Sequence, residues 1–461
     1  MTTTHHHTTA PRTRPLTLLS LGHACVDVYQ GAVAALVPFF VSERAYTYAA
    51  ASGIVLAASL LSSVIQPLFG ALTDRWALPW LLPVSTLVGG VGVALSGIVG
   101  SYALTLAVVA VSGIGVAAYH PEAARVARHA SRGSHTGMGW FSLGGNLGFA
   151  AAPLLVSAAI TTGGLHASPL LVLPALAGAA LCTAALRAMR ARDAEATRAA
   201  GASGPAEANP TAEAPAEVAG RGATVGTPPD DVAGSRDDRA SAGSRDDRAP
   251  VSSRDDWASF VKLSGAIVCR SIVFVGLSTF ISLYVRQRTG GGEVAGTVAL
   301  FVLYLGGAIG TVAGGKFAGR YGRIRVVQWS YALTVLAVAG VVFVPGPPLY
   351  VLVALTSAGL YVPFSLHVTL GQDYLPRRMG TASGVTLGLT VSIGGIASPL
   401  LGAVADATTL QTALIPLIAL PALGWLLLRT LHEPAMPEGI AGASPSGTAA
   451  PTAAAEGRLP S

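Results

Sequence analysis

Residues 16–41 read LTLLSLGHACVDVYQGAVAALVPFFV, a stretch whose single charged side chain is Asp27. An apolar run of about eighteen or more residues is long enough, at about 1.5 Å per helical residue, to cross the hydrocarbon core of a bilayer. Working outward, comparable runs recur near 47–72, 79–99, 102–124, 136–160 and 167–189. A second set lies near 258–285, 294–318, 324–345, 348–371, 380–405 and 410–430. The 461 residues are 51% hydrophobic and 11% charged, against roughly 25% charged in soluble domains. These runs predict an all-α membrane protein of twelve transmembrane helices in two six-helix halves.

The basic residues orient it. With the N-terminus in the cytoplasm, the inside segments hold Arg12, Arg14, Arg75, Arg125, Arg128, Arg132, the linker arginines, Lys316, Arg320, Arg323, Arg325, Arg377, Arg378 and Arg429. The outside loops hold Arg44, Arg286 and Arg288. Lys and Arg accumulate on the cytoplasmic side of membrane proteins, so we expect both termini inside a plasma membrane. The division is 1–15 as a cytoplasmic segment, 16–191 and 258–431 as the two halves, 192–257 as a linker and 432–461 as a tail. The linker contains no Leu, Ile, Met, Phe or Tyr; it cannot bury a core and is expected to be disordered, as is the Ala/Pro/Gly/Ser-rich tail. It carries a tandem motif, Ser-Arg-Asp-Asp, beginning at Ser235, Ser244 and Ser253, which is either a low-complexity spacer or a docking site.

The two halves echo each other. Gly70-Ala-Leu-Thr-Asp74-Arg75 follows the second span, and Gly315-Lys-Phe-Ala-Gly319-Arg320-Tyr-Gly322-Arg323 follows the eighth. The fifth span holds Gly144, Gly145, Asn146 and Gly148 before Pro153; the eleventh holds Gly394 and Gly395 before Pro399. This duplication resembles the major facilitator superfamily, whose halves are parallel repeats around a central site near the bilayer midplane. Leu21-Gly22-His23 with Asp27, Gln66-Pro67, Thr73-Asp74, Pro79-Trp80 and above all His120-Pro121-Glu122-x-x-Arg125-Val-Ala-Arg128 look like the fosmidomycin resistance protein branch. The resemblance implies proton-driven export of small anionic drugs, and a latch role for Asp74, Arg75 and Arg320. The latch motif is incomplete: Trp76-Ala-Leu-Pro79 replaces Gly-Arg in the first copy, and Gly319 replaces Asp in the second.

Ionisable groups at membrane depth are costly, roughly 2.5–3.5 kcal/mol on insertion scales, so they usually face a cavity and serve transport. Asp27 lies about eleven residues into the first span and Arg270 about twelve into the seventh, both near mid-bilayer. His23, Asp27 and Gln30 share one helix face. We read Asp27 as the proton-coupling residue and His23 as its relay, or the group as a hydrogen-bonded cluster that pins the helix. Arg270 either pairs with Asp27 or holds the anionic substrate as a forked donor. His120 and Glu122 mark a proton exit at the cytoplasmic end of the fourth span, with Glu122 able to pair with Arg125 on the same face. Gln30, Gln66, Asn146 and His367 are candidate substrate contacts. Gly145 and Pro153 mark a close-packing, bendable fifth helix, and with Asp74, Arg75, Arg125 and Arg320 form the expected gating set.

Cys25, Cys182 and Cys269 sit in separate apolar segments and read as packing residues. No phosphate cradle, metal-ligand spacing or nucleophile–base pair is present in the sequence, so the chain reads as neither an ATP-driven pump nor an enzyme, with no cofactor. The expected partners are lipid, a proton and a small molecule, with no nucleic acid, and the chain is expected to work as a monomer. Proton-coupled uptake of an anionic metabolite uses the same residues in the other direction. A non-transporting receptor has no need of Asp27 and Arg270 at that depth.

Overall fold

The computed structural model describes residues 14–132, 134–202 and 254–434. The described residues of 14–191 and 254–434 form one compact unit. The described secondary structure is helical: α1 (Arg14–Arg44), α2 (Tyr48–Arg75), α3 (Leu81–Ser96), α4 (Tyr102–Ala130), α5 (His135–Ile160), α6 (Leu173–Ala202), α7 (Trp257–Thr289), α8 (Gly292–Tyr321), α9 (Arg323–Phe343), α10 (Pro348–Tyr361), α11 (Phe364–Tyr374), α12 (Met379–Ala407), α13 (Leu410–Leu414) and α14 (Pro416–Leu428). Ten helical stretches are long and apolar enough to cross a membrane, and the shorter apolar helices Leu81–Ser96 and Ser392–Ala407 bring the set to twelve.

The expected spans hold, with three adjustments. The tenth is divided into α10 and α11 at Pro363, whose ring has no N–H to continue the ladder. The twelfth is divided before Pro416, which opens α14. α6 runs on to Ala202, into the stretch assigned to the linker. The third copy of the tandem motif is also structural. Asp256 caps α7 by accepting from the Ser259 N–H at 3.0 Å, and Asp255 accepts from the Arg377 N–H at 3.1 Å. The copies at 235 and 244 lie outside the described residues, as do the rest of the linker and the tail beyond residue 434.

Helix pairing repeats between the halves. α1 lies on α5 as α7 lies on α12; α2 and α3 lie on α4 as α8 and α9 lie on α10. The halves meet reciprocally, α2 against α12 and α5 against α8. Glycine permits the closest of these approaches. A Cβ at Gly144 would sit 2.2 Å from the Ser20 carbonyl oxygen, and one at Gly148 would sit 1.9 Å from that of Ala24, so α5 presses backbone to backbone on α1.

We call the two ends of the bundle the Arg14 end, where α1 begins, and the Arg44 end, where it finishes. At the Arg44 end the halves are tied. Asp406 of α12 accepts from the N–H groups of Tyr48 (2.7 Å) and Ala49 (2.9 Å) at the start of α2, and the Gln287 amide donates to the Tyr48 hydroxyl at 3.0 Å. A carboxylate here satisfies two of the donors that a helix start leaves open and meets the positive end of its dipole.

Candidate transport site

Between the halves lies a cavity of about 550 Å³. It runs from mid-bundle toward the Arg14 end, where Gly70 and Ala71 of α2 face Gly384 and Gly388 of α12. One wall is polar, with Gln30, Ser59, Ser62, Ser63, Gln66 and Ser112. The other is aromatic, with Phe149, Phe274 and Tyr304. The Phe149 and Tyr304 rings are centred 4.1 Å apart, and each lies 6.4 Å from Phe274, joining α5, α7 and α8. No charged side chain is among the described lining.

Against the polar wall is the first ionisable cluster. Asp27 on α1 lies between two imidazoles: His120 Nε2 is 3.1 Å from Oδ1 and His23 Nε2 is 3.3 Å from Oδ2. The backbone fixes both rings. His23 Nδ1 donates to the Phe141 carbonyl at 2.9 Å and His120 Nδ1 to that of Val116 at 2.8 Å. A carbonyl only accepts, so each Nδ1 carries its hydrogen and each Nε2 is left to face the carboxylate. His23 stacks on Phe141, with ring centres 4.2 Å apart. Gly145 of α5 leaves the room this needs: a Cβ there would lie 2.5 Å from Asp27 Oδ2 and 2.6 Å from His23 Cε1. The three ligand atoms lie within 4.8 Å of one another; their contacts are with each other, so protons suffice to join them.

The second cluster lies in the other half. Arg270 of α7 is 3% exposed. Its Nε donates to the Leu360 carbonyl at 2.5 Å, and its guanidinium stands over the Phe364 ring, 5.3 Å from the centroid. Arg270 Nη1 and the hydroxyl of Tyr361 are buried without a hydrogen-bond partner. His367 is buried beside Tyr331, its Nε2 3.5 Å from that hydroxyl, which donates to the Ala266 carbonyl at 2.7 Å.

The expected residues therefore separate into groups. His23, Asp27 and His120 converge. Glu122 does not join them: it is fully buried and bound to Arg125, whose Nε donates to Oε2 at 2.9 Å. The Asp27–Arg270 pair is not made in this structure, because Asp27 is held by imidazoles and Arg270 by a carbonyl and an aromatic ring. Gln30 and Gln66 line the cavity, whereas Asn146 is half-buried on α5 outside its lining. Pro153 is buried within α5, where its missing N–H frees the Phe149 carbonyl. Arg75 is exposed in the last turn of α2; the Asp74 side chain lies outside the described set. Arg320 is exposed, its guanidinium over the Tyr321 ring at 5.3 Å. Sequence reading missed Tyr361, Phe274 and Asp406. For Tyr361 a signal existed: Tyr119-His120-Pro121 in the fourth span reappears as Tyr361-Val362-Pro363 in the tenth.

A family model described as Major Facilitator Superfamily matches residues 19–399. The chain belongs to that superfamily. It is an integral membrane transporter. Among its relatives, the fosmidomycin resistance protein of Escherichia coli (strain K12) is 27% identical over 415 residues, 89% of this chain and 91% of that one. This bears out the branch resemblance. An uncharacterized MFS-type transporter of Bacillus subtilis (strain 168), YfnC, is 26% identical over 414 residues with the same coverage. Solved transporter structures superpose on most of the chain. The nucleoside transporter NupG gives a TM-score of 0.63 at 12% identity, covering 92% of this chain and all of that one. A bacterial homologue of the human lysosomal transporter Spinster, inward-facing and occupied, gives 0.65 at 14% identity, covering 90% and 96%.

Proposed function

We propose that this transporter exports a small anionic compound across the plasma membrane in exchange for protons, by alternating access. The observation that carries the reading is the His23–Asp27–His120 cluster beside the cavity. With both Nδ1 atoms committed to carbonyls, each Nε2 contact to Asp27 is attractive only when a proton lies in it. Proton loading then ties α1 to α4 through His120, while His23, bonded to the Phe141 carbonyl of α5 in either state, holds its ring against Asp27. Proton loss leaves lone pairs facing a carboxylate and loosens that joint. Titration of one site is thereby converted into a change of helix packing, which is what coupling requires.

The direction and the anionic cargo are supported by the fosmidomycin resistance protein among the relatives, and by Arg270 as a buried cation with no carboxylate partner among the described residues. Taking the Arg14 end as cytoplasmic, from the distribution of Lys and Arg, makes the cavity inward-open and both termini cytoplasmic. The compound enters there from the cell, and the tie through Asp406 opens when the cavity turns outward.

The test is flux in proteoliposomes under an imposed pH gradient, with fosmidomycin as the probe. Wild type should move it against the proton flow. Asp27→Asn should lose the pH-driven component yet retain exchange of labelled for unlabelled compound. Undiminished pH-driven transport by Asp27→Asn refutes the coupling role. Movement of probe and protons in the same direction refutes export and supports uptake.

A further inference from the structure

Arg270 is a cation held in the protein interior with one neutral acceptor, the Leu360 carbonyl, and one ring face, Phe364. Interior charges are kept at a cost unless paired, and Nη1 makes no hydrogen bond among the described residues. The residue after Leu360 is Tyr361, whose hydroxyl is likewise buried and unpartnered. Two unsatisfied donors on adjoining helices, one of them positive, describe the chemistry of an oxyanion site.

The surroundings give it access. The Tyr361 ring packs edge-on against Phe274, with centroids 5.4 Å apart and planes at 79°, and Phe274 is part of the cavity wall. Tyr361 in turn sits in a notch of α8. A Cβ at Gly307 would come within 2.8 Å of its ring, and one at Gly310 within 2.9 Å of its Cβ. Arg270 itself lies four residues before Phe274 on α7, about one helical turn from that wall. The described cavity lining offers a bound molecule neutral donors and no charged side chain. Asp27 does not supply the missing negative charge, being held by His23 and His120.

The geometry points to an oxyanion subsite formed by Arg270 Nη1 and the Tyr361 hydroxyl, screened by Phe274, that takes the phosphonate- or phosphate-like group of the cargo. This rests on the reading of the cargo as an anion and names the residues that receive it. Phe274 and Tyr361 must part for the anion to reach the cation, so the charged end of the cargo enters the C-terminal half while its remainder stays between the halves.

The test is thermal stabilisation of the purified full-length protein by fosmidomycin, methylphosphonate, inorganic phosphate and chloride. It compares wild type with Arg270→Gln, Arg270→Lys and Tyr361→Phe. The expected result is stabilisation by the phosphorus oxyanions with an affinity lowered roughly tenfold or more in Arg270→Gln. Tyr361→Phe, which keeps the ring and its notch, should lower it about three- to tenfold. Arg270→Lys should retain part of the binding, since it keeps the charge and loses the fork. Oxyanion binding unchanged in both Arg270→Gln and Tyr361→Phe overturns the subsite. So does stabilisation by chloride alone, which makes Arg270 the seat of a resident inorganic ion, and so does no stabilisation by any of the four at millimolar concentration. If the Arg270-dependent binding is present while pH-driven flux is absent, the exporter reading falls and the subsite stands.

Discussion

Replacing Gly145 by alanine adds one methyl group at the point where α5 faces the proton cluster. The new Cβ would lie 2.5 Å from Asp27 Oδ2 and 2.8 Å from His23 Nε2, where ordinary contact begins at 3.4 Å. Alanine favours a helix over glycine by about 1 kcal/mol, so the sign depends on the clash. Overpacking a filled interior costs about 1–3 kcal/mol. Relief requires Asp27 or His23 to retreat by nearly an ångström; a retreat of Asp27 that breaks its 3.1 Å hydrogen bond to His120 forfeits about 1.5–3 kcal/mol for a bond to a charged group, and either retreat disturbs the 3.3 Å His23 contact. The colliding atoms belong to side chains, so the fold has a way to yield. At Gly144 and Gly148 the obstacle is a backbone carbonyl, at 2.2 and 1.9 Å, which has none. We therefore expect Gly145→Ala to purify as a folded protein, slightly less stable, with pH-driven flux reduced at least tenfold; that factor corresponds to about 1.4 kcal/mol. Gly144→Ala and Gly148→Ala should lose folded yield. The measurements are melting temperature in detergent and proteoliposome flux across a pH series. A Gly145→Ala protein with wild-type flux and wild-type pH dependence shows that the cluster geometry does not carry coupling.

Asp406→Ala removes the acceptor shared by the Tyr48 and Ala49 N–H groups, a loss of about 0.5–2 kcal/mol by analogy with helix caps. Because those bonds join the halves at the closed end, the balance should shift toward opening there. Spin labels at Ala45→Cys and Thr408→Cys should report longer distances by pulsed EPR, and an unchanged distribution rules out the tie. Glu122→Gln should leave pH-driven flux near wild type, since Glu122 is bound to Arg125 outside the cluster, whereas His120→Gln should abolish it; equal losses in the two variants contradict this separation. Asp256→Ala should lower thermal stability by about 1 kcal/mol. The backbone hydrogen bond from Ser259 holds the Asp256 carboxyl below its usual range. A lowered folded pKa means that the stabilisation is complete above the unfolded value, about 3.9, and is lost as pH falls through the folded one. The gap between wild type and variant should close on acidification, and a gap that widens reverses the argument.

The fold was legible because a bilayer enforces it: uninterrupted apolar length becomes a helix wherever backbone groups have no other partner. Proline marked the exceptions in the sequence, but only contacts distinguish Pro363, where the tenth span divides, from Pro121, which α4 passes through. In the site, His23 and Asp27 were legible because four residues along a helix is a local relation. His120 joins them from another helix, and spacing along the chain carries no information about that. Depth alone left two alternatives open for Arg270, a pair with Asp27 or a hold on the substrate; the pair is not made in this structure, where Asp27 contacts imidazoles and Arg270 a carbonyl and a ring. Tyr361 was overlooked because an aromatic residue in an apolar run reads as packing; its importance lies in a hydroxyl with no partner, which is a property of its surroundings.

Duplication explains why the two clusters sit where they do. The pairings of α1 with α5 and of α7 with α12 are repeats of one arrangement, and the Tyr-x-Pro segments of the fourth and tenth spans occupy equivalent places in it. Each half brings ionisable or polar side chains together where its first and fourth spans meet. In the N-terminal half these are a carboxylate between two imidazoles, a set whose charge changes with protons. In the C-terminal half they are an arginine, which stays charged at any physiological pH, and a tyrosine in a glycine notch. In the proposed mechanism, a proton site and an anion site at related positions of two halves that rock against each other experience the same motion. Occupation of either alters how its half packs, and the contacts of α2 with α12 and of α5 with α8 are where the two effects meet. Coupling in this scheme requires no direct bond between Asp27 and Arg270. A variant that stiffens the α5–α8 seam should accordingly uncouple proton from cargo with both clusters intact.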